Sequence, residues 1–221
     1  RDSAAGFLAE TANVDAFRKH RDNPPPAGFD QALWGSIAEM GWCGIAIDEA
    51  HGGLGYGFTG LGLIIEQMGK NLTVSPFNST VLMAGTAIAQ FGTQAQKQEW
   101  LPKIAAGEVV MSLAIQEGRH FDLDSLSTSV SAQGDSFALK AEKRQVLDAI
   151  GADAYVVVGK DASGYQAFIV TSDQVSVQNQ SMVDARSSGT VVIDASLSAD
   201  TQMDAQSLNN GGLDRALDIM N

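Results

Sequence analysis

The spacing of apolar residues changes from helical to strand type at Gly107, and that switch limits the fold more than any other feature. The segment Phe91–Glu117 reads FGTQAQKQEWLPKIAAGEVVMSLAIQE. Its front is a charged amphipathic helix with Trp100 and Ile104 turned inward. Its back, after Gly107, is an apolar run of strand type. A helical half therefore joins a β-rich half here.

Upstream of the join, helical periodicity dominates. Ser3 is placed to cap a first helix with Phe7 and Leu8 facing in, and Val14–His20 forms a second. Pro24, Pro25 and Pro26 then interrupt, because proline cannot sit in a helix interior. Asp30–Met40 places Leu33, Trp34, Ile37 and Met40 on one face. Helices follow from about Thr59 to Lys70, from Ser79 to Phe91 and from Gln94 to Ala105.

Downstream, β-type runs at Val109–Ile115, Ser127–Ala132, Ser136–Ala141, Ala154–Gly159, Gln166–Thr171 and Thr190–Ala195 alternate with Gly, Asp and Ser turns. The pattern predicts an α+β fold: an all-α domain at residues 1–108, then an antiparallel β-barrel or sandwich at 109–204. Residues 205–221 restart a helical pattern through Leu213, Ala216, Leu217 and Met220, read as the cut opening of a further helical domain.

A net charge of −12 leaves no basic patch for nucleic acid or an anionic membrane surface. Apolar runs stay well below the ~18 residues of a membrane span, and no leader is evident, so a cytoplasmic protein without membrane insertion is expected. Cys43 is alone in an apolar stretch and reads as a buried, inert thiol. The loop Asp48–Gly57 combines His51 with two carboxylates and four glycines, but lacks both the paired His or Cys of a zinc motif and the Lys-Ser of a P-loop. It reads as a tight connection, and no metal site is expected.

Five segments, in order, carry a resemblance. They are Ile37–Ile47, the loop Asp48–Gly55 with its Gly-Gly-Leu-Gly ending, Ile65–Lys70 (IEQMGK), Phe91–Lys97 (FGTQAQK) and Trp100–Glu108 (WLPKIAAGE); the Asp184–Ser187 run before the last strand is similar as well. Together they resemble acyl-CoA dehydrogenases over residues 30 to 200. The resemblance implies the first two of three domains, the third being a four-helix domain that supplies the catalytic carboxylate, so no residue here is named catalytic. It implies FAD, an acyl-CoA substrate, electron-transfer flavoprotein as acceptor, a tetramer, and a place in lipid metabolism such as fatty acid or steroid degradation.

The same resemblance names candidate sites. Where the family has a Thr-Glu-Pro run with flavin-contacting hydroxyls, this chain has Ile115-Gln116-Glu117, and Phe121 stands at the serine position. Where the family has Trp-Ile-Thr after a Gly-x-Lys, it has Gln145-Val146-Leu147 after Lys143. The candidate cofactor-binding residues are thus Ile115, Gln116, Phe121, Gln145 and Leu147, and the candidate acyl-pocket residues Met83 and Phe121. Arg119-His120, the basic pair near this site, is read either as a contact to a phosphate of FAD or CoA or, in preference, as a solvated loop pair, and Asp184-Ala-Arg186 as a turn closed by an Arg–Asp contact. Two functions follow: FAD-dependent α,β-dehydrogenation of an acyl-CoA, or a non-catalytic partner subunit in a hetero-oligomer whose flavin contacts are weakened. A flavin monooxygenase of similar architecture is the least favoured reading.

Overall fold

The computed structural model describes residues 1–220. Six α-helices come first: α1 (Asp2–Thr11), α2 (Val14–Asp22), α3 (Gln31–Glu39), α4 (Gly57–Lys70), α5 (Gly85–Phe91) and α6 (Gln94–Ala105). Local caps set their starts. Asn13 accepts from the Asp15 and Ala16 amides, Asp30 from those of Ala32 and Leu33, and Thr93 forms a reciprocal capping box with Gln96.

Several helical details differ from the sequence reading. Ser3 is not a cap, because α1 already starts at Asp2. Met40 is 38 % exposed, since it lies past the end of α3, off the face that buries Trp34 and Ile37. Trp100 is only half-buried, with the Lys103 ammonium over its ring at 4.8 Å; Leu101 and Ile104 take the core positions. The helix ending at Phe91 starts at Asn78, and its segment Asn78–Ala84 is wound as a π-helix before α5. Such a wide turn shifts which side chains face inward.

Seven strands follow: β1 (Met111–Ala114), β2 (Ser129–Gln133), β3 (Ser136–Leu147), β4 (Ala154–Asp161), β5 (Gly164–Thr171), β6 (Val175–Ser181) and β7 (Ser187–Ser198). They form two sheets, ordered β1-β4-β5 and β2-β3-β7-β6. All ladders are antiparallel except one. β1 runs parallel to β4, Met111 facing Ala154, because the chain visits the other sheet through β2 and β3 before returning. β6 was missing from the sequence reading: at the sheet edge, it shows only Val175 and Val177 against polar neighbours. A short helix α7 (Ala205–Ser207), a kink at Leu208–Gly212 with Gly211 at φ +85°, and α8 (Leu213–Met220) close the described chain. Among the described residues no helix is long and apolar enough to cross a membrane.

The two halves share one hydrophobic core, running from Leu8 and Ile37 through Phe91 to Val156, Phe168 and Leu197. Gly107 makes the join at φ +69°, where an added Cβ would clash with that of Ala38, so only glycine fits. Its carbonyl accepts from Trp34 Nε1 at 2.9 Å. The π-wound segment Asn78–Ala84, the π-turn from here on, supplies the tightest cross-links. Thr80 Oγ1 donates to the Met111 carbonyl at 3.1 Å and accepts from the Met111 amide at 3.0 Å, while Ser79 Oγ donates to Asp148 Oδ2 at 2.6 Å.

Thr80→Val keeps the shape but strands both main-chain groups of Met111 at a fully buried position. An expected loss of about 1–3 kcal/mol is read from the urea midpoint, with the slope unchanged; a midpoint within error of wild type would contradict this role.

Candidate active site

A cleft of about 540 Å³ opens between the π-turn, β1, the end of β3 and α8. Its lining includes Met83, Ile115, Gln116, Phe121, Gln145 and Leu147, together with Leu113, Arg144, Gln180, Met182, Ser188, Leu217 and Met220. The six candidate cofactor- and acyl-pocket residues therefore border a single space. The volume falls in the usual range for a small-molecule pocket, and so does the composition: apolar walls with a few convergent polar groups.

Each group reaches the cleft for a local reason. β3 alternates, burying Leu139, Ala141 and Lys143, until a bulge breaks the register between Lys143 and Val146. Gln145 sits in that bulge at φ +54°, and the altered parity presents both Gln145 and Leu147 to the cleft. Gln116 follows β1, and its carbonyl accepts from the Arg144 amide at 2.7 Å. The Gln116 and Gln145 side chains join at 2.8 Å, making an amide pair on one wall. Phe121, on the loop leaving β1, is 51 % exposed and stands at the mouth.

Behind this wall lies a polar cluster that the sequence reading overlooked. Lys143 is fully buried and its ammonium reaches Glu117 Oε1 at 2.6 Å, the Val158 carbonyl at 2.5 Å and the Ile115 carbonyl at 3.3 Å. Burial would raise the Glu117 carboxyl, but hydrogen bonds from Lys143, Thr128 and Ser127 outweigh it and hold the group at about 2. Burial likewise pulls Lys143 below its ordinary value, and Glu117 opposes that. The signal was present: Lys143 occupies the inward parity of β3, where a charge needs a partner.

Asp148 has left-handed backbone (φ +53°) at the end of β3 and is also buried. Burial pushes its carboxyl up to about 6 against the lowering effect of Ser79. It does not line the cleft. Nor does any other carboxylate among the described residues.

The remaining motifs lie outside this cleft. The glycine loop is a connection, with Gly52, Gly55 and Gly57 at positive φ. Arg119 and His120 are exposed, and Arg186 meets Asp184 at 3.7 Å across their turn. Cys43 is buried, its thiol pushed up to about 12 by desolvation.

This architecture has known relatives. The family described as "Acyl-CoA dehydrogenase, N-terminal domain" matches residues 1–108. The acyl-CoA dehydrogenase FadE12 of Mycobacterium tuberculosis is 30 % identical over 170 residues, covering 72 % of this chain and 41 % of that protein. A glutaryl-CoA dehydrogenase structure from Mycobacterium smegmatis superposes with a TM-score of 0.87 at 21 % identity, over 99 % of this chain and 58 % of the other. The ChsE4-ChsE5 complex from Mycobacterium tuberculosis gives 0.84 at 20 % identity, over 99 % and 57 %. The chain belongs to the acyl-CoA dehydrogenase family. It spans well under half the length of that curated relative.

Because the folded pKa of Asp148 lies above the unfolded value of 3.8, its protonated form stabilises the fold below that value, and the contribution is lost as pH rises through about 6. Asp148→Asn should flatten the decline in melting temperature between those two pH values. An unchanged slope in calorimetric scans would contradict this assignment.

Proposed function

We propose that the complete protein performs FAD-dependent α,β-dehydrogenation of an acyl-CoA, with this chain forming the walls of the site. The cleft bordered by all the candidate residues carries the reading. Its faces (Leu113, Ile115 and Leu147) suit the flat, apolar surfaces of a flavin ring, and the Gln116–Gln145 amides offer donors and acceptors at one edge. FAD held there would supply acceptance of the hydride that leaves the substrate β-carbon. Met83 and Phe121 would border the acyl chain and keep water from it. With no carboxylate on the described cleft wall, the group that takes the α-proton must come from outside these residues. Electron-transfer flavoprotein as acceptor, a tetrameric assembly and a cytoplasmic setting belong to the same reading.

A second reading is favoured by one observation. The hydroxyl positions are Ile115, Phe121 and Leu147, and the amides of Gln116 and Gln145 are hydrogen-bonded to each other. Each neutral hydrogen bond missing from a bound ring weakens binding by about 0.5–1.5 kcal/mol. A subunit of this kind would act as a non-catalytic partner in a hetero-oligomer, and a two-component assembly such as ChsE4-ChsE5 is compatible with it.

Purifying the complete protein and mixing it anaerobically with acyl-CoA thioesters separates the two. The first reading expects about one flavin per chain (one cleft, one ring), bleached by a thioester. A colourless protein, inert until an unlike subunit is added, would replace it with the second. Within the first reading, Leu147→Thr should tighten FAD binding by roughly 2- to 10-fold, the return of one hydrogen bond, measured by flavin fluorescence titration.

A further inference from the structure

We propose that the buried Lys143–Glu117 pair is the positioning unit of the cleft, fixing the amide wall and the Phe121 loop in the arrangement a ligand meets. The proposal rests on the reading of this cleft as a ligand site. It turns on how completely the pair is used. An ammonium has three donors, and here they go to Glu117 Oε1, the Val158 carbonyl and the Ile115 carbonyl. Ile115, Glu117, Lys143 and Val158 belong to three separate strands or their exits, so one side chain ties the end of β1 to both sheets.

The carboxylate carries the tie further along the chain. Glu117 Oε2 accepts from the Ser127 amide at 2.5 Å and its hydroxyl at 2.7 Å, and Oε1 from the Thr128 amide at 3.2 Å and its hydroxyl. Residue 117 thereby holds residues 127 and 128, closing the segment between them into a compact loop whose ends meet at one carboxylate. Phe121 stands on that loop, over the cleft mouth. On the other side, residues 115–117 and 143–145 are stitched by the Arg144 amide to the Gln116 carbonyl and by Gln116 to Gln145. Ile115, Gln116, Arg144 and Gln145, each within two residues of the ion pair in sequence, line the cleft.

A purely stabilising role explains this less well. A buried ion pair usually holds a fold no better than an apolar pair of matching shape, so what it adds is a defined geometry. The surrounding positions of β3, Leu139 and Ala141, show that apolar side chains fill this layer without difficulty.

The test uses the complete protein with Lys143→Met/Glu117→Leu, which removes both charges together, and Lys140→Met on the exposed face of the same strand as control. Two readouts are taken: the rate of tryptic cleavage after Arg119, inside the loop, and FAD affinity by fluorescence titration. The expected result is a folded double variant cleaved at least about fivefold faster, as the open loop population grows, with FAD bound about tenfold more weakly as the wall loses its preorganisation. Lys140→Met should match wild type in both. Cleavage at the wild-type rate in the double variant overturns the proposal, whatever the flavin result. Faster cleavage in a protein whose wild type takes up no FAD supports the positioning role and sinks the flavin reading instead. Should the double variant fail to fold, Ser127→Ala carries the same test: faster cleavage supports the tie, and an unchanged rate overturns it.

Discussion

The fold depends on how one turn of helix meets one strand. Thr80 satisfies both main-chain groups of Met111, and the neighbouring Ser79 reaches Asp148 at the far end of β3. Consecutive residues in a π-wound turn thus grip the first and third strands at once. The helical half cannot shift against the β half without stranding buried polar groups, each costly to leave unpaired. The cleft is the space bounded by this grip, with Met83 one turn beyond Ser79 and Ile115 just past β1.

The same economy appears in the electrostatics. The chain carries a strong negative charge, yet its deepest charged residue is a lysine. Lys143 is retained where an aliphatic side chain would pack, and its partner Glu117 is the residue that anchors the Phe121 loop. Asp148 works in the opposite sense: it is buried and favours its protonated form. The two carboxylates therefore respond to acid with opposite signs. Glu117 loses stabilising effect as pH falls from 4.5 toward 2, while Asp148 gains it as pH falls through about 6.

Much of this was legible in the sequence, and the failures have physical causes. The switch at Gly107 located the join because apolar spacing records which face is buried. Six residues that border the cleft were named through motif resemblance; composition alone would have ranked Ile115 and Leu147 as ordinary core. The parallel β1–β4 pair was not legible, since pairing partners distant in sequence leave no local mark. Edge strand β6 has too few apolar residues to signal burial. Lys143 was legible and overlooked: its parity on β3 placed a charge in the core. The bulge at Gln145 could not be anticipated, because glutamine is not a residue that announces left-handed backbone.

The central claim is that the space between the π-turn and strands β1 and β3 receives a flat, apolar-faced ligand. Amide hydrogen exchange of the complete protein with and without FAD addresses it most directly. Slowed exchange confined to Leu113–Glu117 and Arg144–Leu147 is the predicted result. FAD uptake that leaves those segments unchanged, or that protects the glycine loop at Asp48–Gly57 instead, would contradict it.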